Sequence, residues 1–178
     1  MQNIFKILIG TCLISLGLNA CTHGNGSLVP SDHYKDSNSS SEMAGMANPF
    51  ITTQSKSEAE KEAGFKVKLP SGMSPFSEVS AYRVMLKRLF EVIYTNSSGV
   101  EGYRLRKGIE SDDISGDYNT YKYEKKLIVH GDVVIIKGND NQCWSVAVWK
   151  KGRFAYAIDA QDYPLNLDQI NYLVTQFE

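Results

Sequence analysis

The chain has 178 residues, 42% hydrophobic and 22% charged, with a formal net charge of −1, which suits one globular domain of ordinary size. That near-neutral balance excludes the broad basic footprint of a nucleic-acid binder, so no nucleic-acid partner is expected. Three cysteines are too few for a disulfide scaffold.

Met1 to Lys6 is a short start with one positive charge, followed by an uncharged, mostly apolar run of twelve residues from Ile7 to Leu18. A helix needs about 20 residues to span about 30 Å of hydrocarbon, so this run has the anatomy of a secretory signal peptide instead. The junction Leu18-Asn19-Ala20-Cys21 resembles the bacterial lipobox, in which the cysteine receives diacylglycerol and cleavage follows just before it. The resemblance implies a signal peptide over 1–20 and a lipid anchor at Cys21, whose two or more acyl chains meet the requirement for stable membrane attachment. It places the protein outside the cytoplasm, on the cell membrane or the outer membrane. Cys12 would leave with the signal peptide.

Residues 21–47 then read as the lipidated cysteine and a tether. Thr22 to Ala47 is rich in Ser, Gly, Asn and Asp without apolar periodicity, so it cannot bury enough surface to offset ordering. A flexible chain of these 26 residues has an r.m.s. reach of about 28 Å. His23 and His33 sit in this tract, where they make poor metal ligands.

Residues 48–178 form one domain, large enough for a core without staples. Ser57-Glu58-Ala59-Glu60 reads as a capping box and Gly64 as the end of a short helix, with Ala59, Ala63 and Phe65 inward. Strands are expected over 66–69, 78–84, 89–95 and 102–107, with turns at Pro70-Ser71-Gly72 and Asn96 to Gly99. A meander follows over 126–129, 133–137, 143–149 and 153–158. Alternation puts Trp144, Val146 and Val148 on one side of a strand, and Phe154, Tyr156 and Ile158 on one side of the next. The small residues Ala147, Ala155 and Ala157 leave room for another element. Asn166 with Gln169 opens an amphipathic helix carrying Leu167, Ile170, Leu173, Val174 and Phe177. The expected class is α+β: an antiparallel, meander-rich sheet flanked by a short N-terminal helix and an amphipathic C-terminal one.

Several strings within the domain, Asn48-Pro49-Phe50, Glu58 to Phe65, Asp112 to Asn119, Lys137-Gly138 and Val146 to Trp149, resemble a bacterial family catalogued as a domain of unknown function (number 4367). The Asp-Ile-Ser-Gly-Asp-Tyr-Asn string is the most specific of them. The resemblance implies a secreted or membrane-tethered domain without an assigned activity.

Candidate sites are few. The loop from Ser111 to Tyr121 gathers Asp112, Asp113, Ser115, Asp117, Tyr118 and Asn119 as a candidate ligand loop. Counted from Asp113 it superficially matches a calcium loop, but the sixth position, which needs glycine, is Tyr118. The plainer reading is a turn-rich connection whose Asp and Ser side chains bond their own backbone. Arg104 and Arg106 share a strand face and, with Arg83, Lys87, Arg88 and Lys107, offer a basic patch for an anionic ligand or wall polymer. The plainer reading is a solvated strand face balanced by Glu91 and Glu101. Trp144 and Trp149 are expected on opposite faces, which makes an exposed Trp149 part of a candidate binding surface. Cys143 reads as a small buried hydrophobe. Along the strand His130 lies about 20 Å from it, too far for a nucleophile and its base. No zinc-ligand spacing, phosphate loop or cofactor motif appears.

These features predict a membrane-anchored lipoprotein, attached through Cys21, whose non-catalytic domain binds a protein partner or envelope ligand. The alternatives are an envelope hydrolase using carboxylates of the 111–121 loop, such as Asp113 and Asp117, and a structural envelope protein.

Overall fold

The computed structural model describes residues 48–109 and 113–178. Cys21, the tether and Asp112 lie outside them. The described residues form a single eight-stranded antiparallel sheet with two helices. The elements in chain order are β1 (Phe50–Thr53), α1 (Lys56–Ala63), β2 (Glu78–Met85), β3 (Leu89–Thr95), β4 (Glu101–Ile109), β5 (Tyr123–Val129), β6 (Asp132–Gly138), β7 (Val146–Lys151), β8 (Phe154–Asp159) and α2 (Leu167–Gln176). The strand order is β1-β2-β3-β4-β8-β7-β6-β5. Two four-stranded meanders therefore meet at the β4–β8 pairing, where Arg104 lies opposite Asp159 and Ile109 opposite Phe154.

One face of the sheet carries the main core. Phe90, Leu105, Ile158, Ala147 and Ile136 point into it, and Ala59 and Ala63 of α1 and Ile170, Leu173 and Val174 of α2 pack down on them. Helix α1 begins at Ser55, whose side chain accepts from the Glu58 N–H, and ends at Gly64, with φ 80°. The N-cap thus sits at Ser55, two residues earlier than Ser57-Glu58-Ala59-Glu60 suggests, and Glu58 accepts from the Gln54 N–H at 2.8 Å. Glu60 is instead turned inward, where it accepts from Lys56 at 2.7 Å, Lys66 at 3.0 Å and the Val67 N–H at 2.9 Å. Helix α2 opens on the capping box that Asn166 and Gln169 foretell. Segment 66–69 is extended but lies outside the sheet. Lys68 exchanges two backbone hydrogen bonds with Glu178, at 2.5 and 3.0 Å, which closes the chain's last residue onto the layer above the sheet.

The faces of β7 correct the sequence reading. Val146 and Val148 point to the second face, whereas Ala147 and Trp149 point into the main core together with Trp144. Strand β7 starts only at Val146, and the irregular Cys143-Trp144-Ser145 before it breaks the two-residue period. Both tryptophans are therefore buried. Trp149 stacks on Tyr156 with centroids 5.1 Å apart and meets the edge of Phe177.

The chain between β4 and β5 must cross β8, β7 and β6 on the second face. Ile114 and Tyr121 of this crossover pack against Val146, Val148, Ala155 and Ala157. The two alanines of β8 supply the close approach expected of small residues. Ala147 does not, because it faces the main core.

Candidate functional site

On the second face, the charged residues of the central strands are consumed by one another. Arg83, Glu91 and Arg106 lie in one cross-strand row. Arg83 Nε donates to Glu91 Oε1 at 2.5 Å and Arg106 Nε donates to Oε2 at 2.7 Å. Both guanidinium groups sit over the Phe50 ring, 4.8 and 5.7 Å from its centroid. The proposed basic patch is therefore not formed. Arg106 is buried in this triad, and Lys107, one residue on, faces the opposite side of the sheet. There its ammonium lies among Phe65, Phe154 and Tyr156 and donates to the Lys66 carbonyl at 2.8 Å. Trp149 supplies no exposed surface either, being sealed between Tyr156 and Phe177.

The crossover is rigidly built. The Ser115 N–H and hydroxyl both donate to Asp113 Oδ1, at 2.9 and 2.6 Å, and Lys137 donates to Oδ2 at 3.3 Å. Burial acts to raise the Asp113 carboxyl, but these bonds prevail and hold it below the usual carboxylate range. The Asn119 N–H donates to Asp117 Oδ1 at 2.8 Å and Tyr121 donates its hydroxyl to Oδ2. Burial and the Asp117 charge push the Tyr121 phenol up to about 12. Gly116, with φ 66°, lies so close to Arg106 that a Cβ would run into its guanidinium, and Arg106 Nη1 donates to the Ile114 carbonyl at 3.3 Å. The carboxylates of the loop thus serve its own turns. Among the described residues of the loop, Tyr118 is an aromatic left in water, 97% exposed.

A small polar cleft of about 90 Å³ is lined by Glu101, Gly102, Arg104, Asp159, Gln161 and Asp162. Strand β4 contributes its first residues and β8 its last, so the cleft sits at one end of the sheet, at the junction of the two meanders. Arg104 Nε is bound to Glu101, and its Nη1 lies 3.7 Å from Asp159 Oδ2. Burial raises the Asp159 carboxyl above its ordinary range, against the pull of Arg104 and Arg106. Gly102 admits the ring of Phe76, which a Cβ would strike, and Phe76 in turn packs on Tyr163 at 4.7 Å. The loop is tied to this cleft where Asn119 Nδ2 donates to Gln161 Oε1 at 3.3 Å. The set offers carboxylates, one guanidinium and one amide at a surface: hydrogen-bonding and charge recognition for a small polar group.

Sequence reasoning singled out Arg104, Tyr118 and Asn119 but missed Asp159, Gln161 and Asp162. The available signal was an apolar strand ending on Asp159 with two further polar residues directly after Ala160. His130 and Cys143 fall at opposite ends of β6 and are not brought together. Cys143 is half-buried rather than fully buried, which corrects its reading as a small buried hydrophobe. Among the described residues no group of His, Cys, Asp and Glu is arranged to hold a metal ion, and no helix is long and apolar enough to cross a membrane.

No protein-family model matches the chain, and neither does any curated protein or solved structure. The resemblance to the domain of unknown function therefore rests on the short strings quoted above.

Proposed function

We propose that this is a bacterial lipoprotein, anchored by lipid at Cys21, whose α+β domain binds an envelope ligand or partner protein without catalysis through the end of the sheet that carries the cleft and Tyr118. The observation that carries the reading is the Asn119–Gln161 bond, which ties the loop bearing the exposed Tyr118 to the lining of a polar cleft. An exposed tyrosine on a stiff loop tied to converging polar groups is the composition of a recognition hot spot. The enzyme alternative draws less support from the loop, because Asp113 and Asp117 are committed to its turns and Asp113 is held ionised rather than poised as an acid. A purely structural role leaves the exposure of Tyr118 without a purpose.

The test is a photo-crosslinker placed at Tyr118, Asp162 or Ile51 in the intact protein on living cells. A discrete adduct from positions 118 and 162 but not from 51 is expected. Adducts from none of them, or equally from all three, overturn the binding reading. The anchor is read separately: Cys21→Ser should abolish uptake of labelled fatty acid.

A further inference from the structure

The sheet is electrically and chemically different at its two ends. The register places the Met85–Leu89 turn, the end of β4, the Lys151–Phe154 turn and the Val129–Asp132 turn together at the end opposite the cleft. Strand β1 enters there as well, with Phe50 opposite Met85, so the chain that leads back to Cys21 leaves the domain from this end.

Four large apolar side chains stand in water at or next to it: Leu86 is 76% exposed, Ile128 71%, Ile51 63% and Val133 51%. Ile128 and Val133 are cross-strand partners, while Leu86 caps the neighbouring hairpin. Counting strands at about 4.8 Å each, the two projections lie about 24 Å apart. The Leu86 hairpin is costly to form. Leu86 and Lys87 have φ of 52° and 55°, the left-handed pair of a type I′ turn that ordinarily takes Asn-Gly. Two residues held there against their own preference, one of them a solvent-facing leucine, point to a use outside the fold.

The exposed cations Lys87, Lys126, Lys151 and Arg153 surround these apolar groups. Among the described residues the acids at this end include Asp132, Glu178, and Glu60 and Glu62 of α1, whose following Phe65 packs on Phe154; Glu178 is bound to Lys151 at 2.9 Å and Glu60 to Lys56 and Lys66. The cleft end carries Glu101, Asp159 and Asp162.

We infer that the tether end of the sheet docks on the anionic leaflet of the anchoring membrane, with Leu86, Ile128 and Val133 entering the headgroup layer and Lys87, Lys126 and Arg153 meeting lipid phosphates. The inference rests on the lipid-anchor reading for its setting. On the tether reading, the 26 residues between Cys21 and Asn48 have an r.m.s. reach of about 28 Å, so even weak docking is populated through effective concentration. Docking also fixes the cleft and Tyr118 on the side facing away from the membrane.

The test uses the mature chain with Cys21→Ser, co-sedimented with phosphatidylcholine vesicles that contain none or about a third phosphatidylglycerol. The chain is expected to bind the anionic vesicles and to be released by salt. Lys87→Gln should weaken binding by about fivefold, the worth of roughly one surface cation. Leu86→Asp and Ile128→Asp should weaken it at least as much, while Tyr118→Ala leaves it unchanged. Aspartate tolerates the left-handed turn better than leucine, and an unchanged thermal transition certifies that Leu86→Asp is folded. Equal binding to neutral and anionic vesicles, no binding to either, Asp variants that bind like the parent, or a Tyr118→Ala loss of the same size would each overturn the inference. Since this chain carries no lipid, failure of the anchor shows only in the fatty-acid label, and failure of docking only in the vesicles.

Discussion

Arg106 donates from Nε to Glu91 Oε2 at 2.7 Å, at a point where Glu91 is completely shut off from water. Arg83 takes the other carboxylate oxygen, so one anion holds two cations across three strands. A buried triad of this kind is balanced only while every member is present, because the remaining charges cannot be rehydrated. Glu91→Gln leaves two guanidinium groups facing each other and should cost about 3–5 kcal/mol. Urea denaturation of the variant against the parent measures it, and a loss below 1 kcal/mol would show that water reaches the pair.

Gly116 is needed for two separate reasons, its φ of 66° and the Arg106 guanidinium pressed against its open side. Gly131 shares the first with φ 88° but has nothing within 4 Å of where a Cβ would stand. Gly131→Ala should therefore cost only the left-handed penalty, about 1 kcal/mol, and Gly116→Ala clearly more. Equal melting temperatures for the two variants would remove the packing role assigned to the crossover.

Glu60 gives the fold an acid-sensitive joint. Burial favours its neutral form, but hydrogen bonds from Lys56, the Val67 N–H and Lys66 outweigh this and lower its pKa from 4.5 to about 2. A depressed carboxyl contributes stability that is complete above the unfolded value and lost as pH falls through the folded one. Stability should therefore decline between about pH 4.5 and 2. Glu60→Gln should flatten that limb and cost about 2 kcal/mol at neutral pH, the worth of hydrogen bonds to a charged group. Denaturant titrations repeated across pH decide it.

Tyr118 and Trp149 make opposite predictions. Trp149→Ala opens a hole between Tyr156 and Phe177 and should cost about 3–5 kcal/mol. Tyr118→Ala touches no core and should leave stability within about 0.5 kcal/mol, while removing the crosslink expected from the cleft end. Thermal unfolding of both variants, together with crosslinking yield, separates the structural aromatic from the recognition one.

Much of the sheet was legible because its strands obey a two-residue alternation and its hairpins carry ordinary turn residues. Leu89 to Thr95 is a strand over the residues expected, and Asn166 and Gln169 announce α2 by a local reciprocal bond. The misreadings have one physical source: partners distant in sequence. Trp149 seemed free to face outward because the period was counted through Cys143-Trp144-Ser145, where no regular strand exists. Arg106 looked like a surface cation because Glu91, fifteen residues away, meets it only across the β3–β4 register. The cleft was invisible for the same reason, since β4 and β8 become neighbours only in the folded sheet.

Chain order also decides when that seam can close. Strand β4 must wait for β8, about 45 residues later, before its second edge is hydrogen-bonded, and such late, non-local pairing slows folding. A chain that emerges N-terminus first holds a complete β1–β4 meander with Leu105 and Arg106 on an open edge, the kind of surface that recruits other strands. Folding therefore has a vulnerable interval, which ends only when β8 arrives to seal the first half against the second.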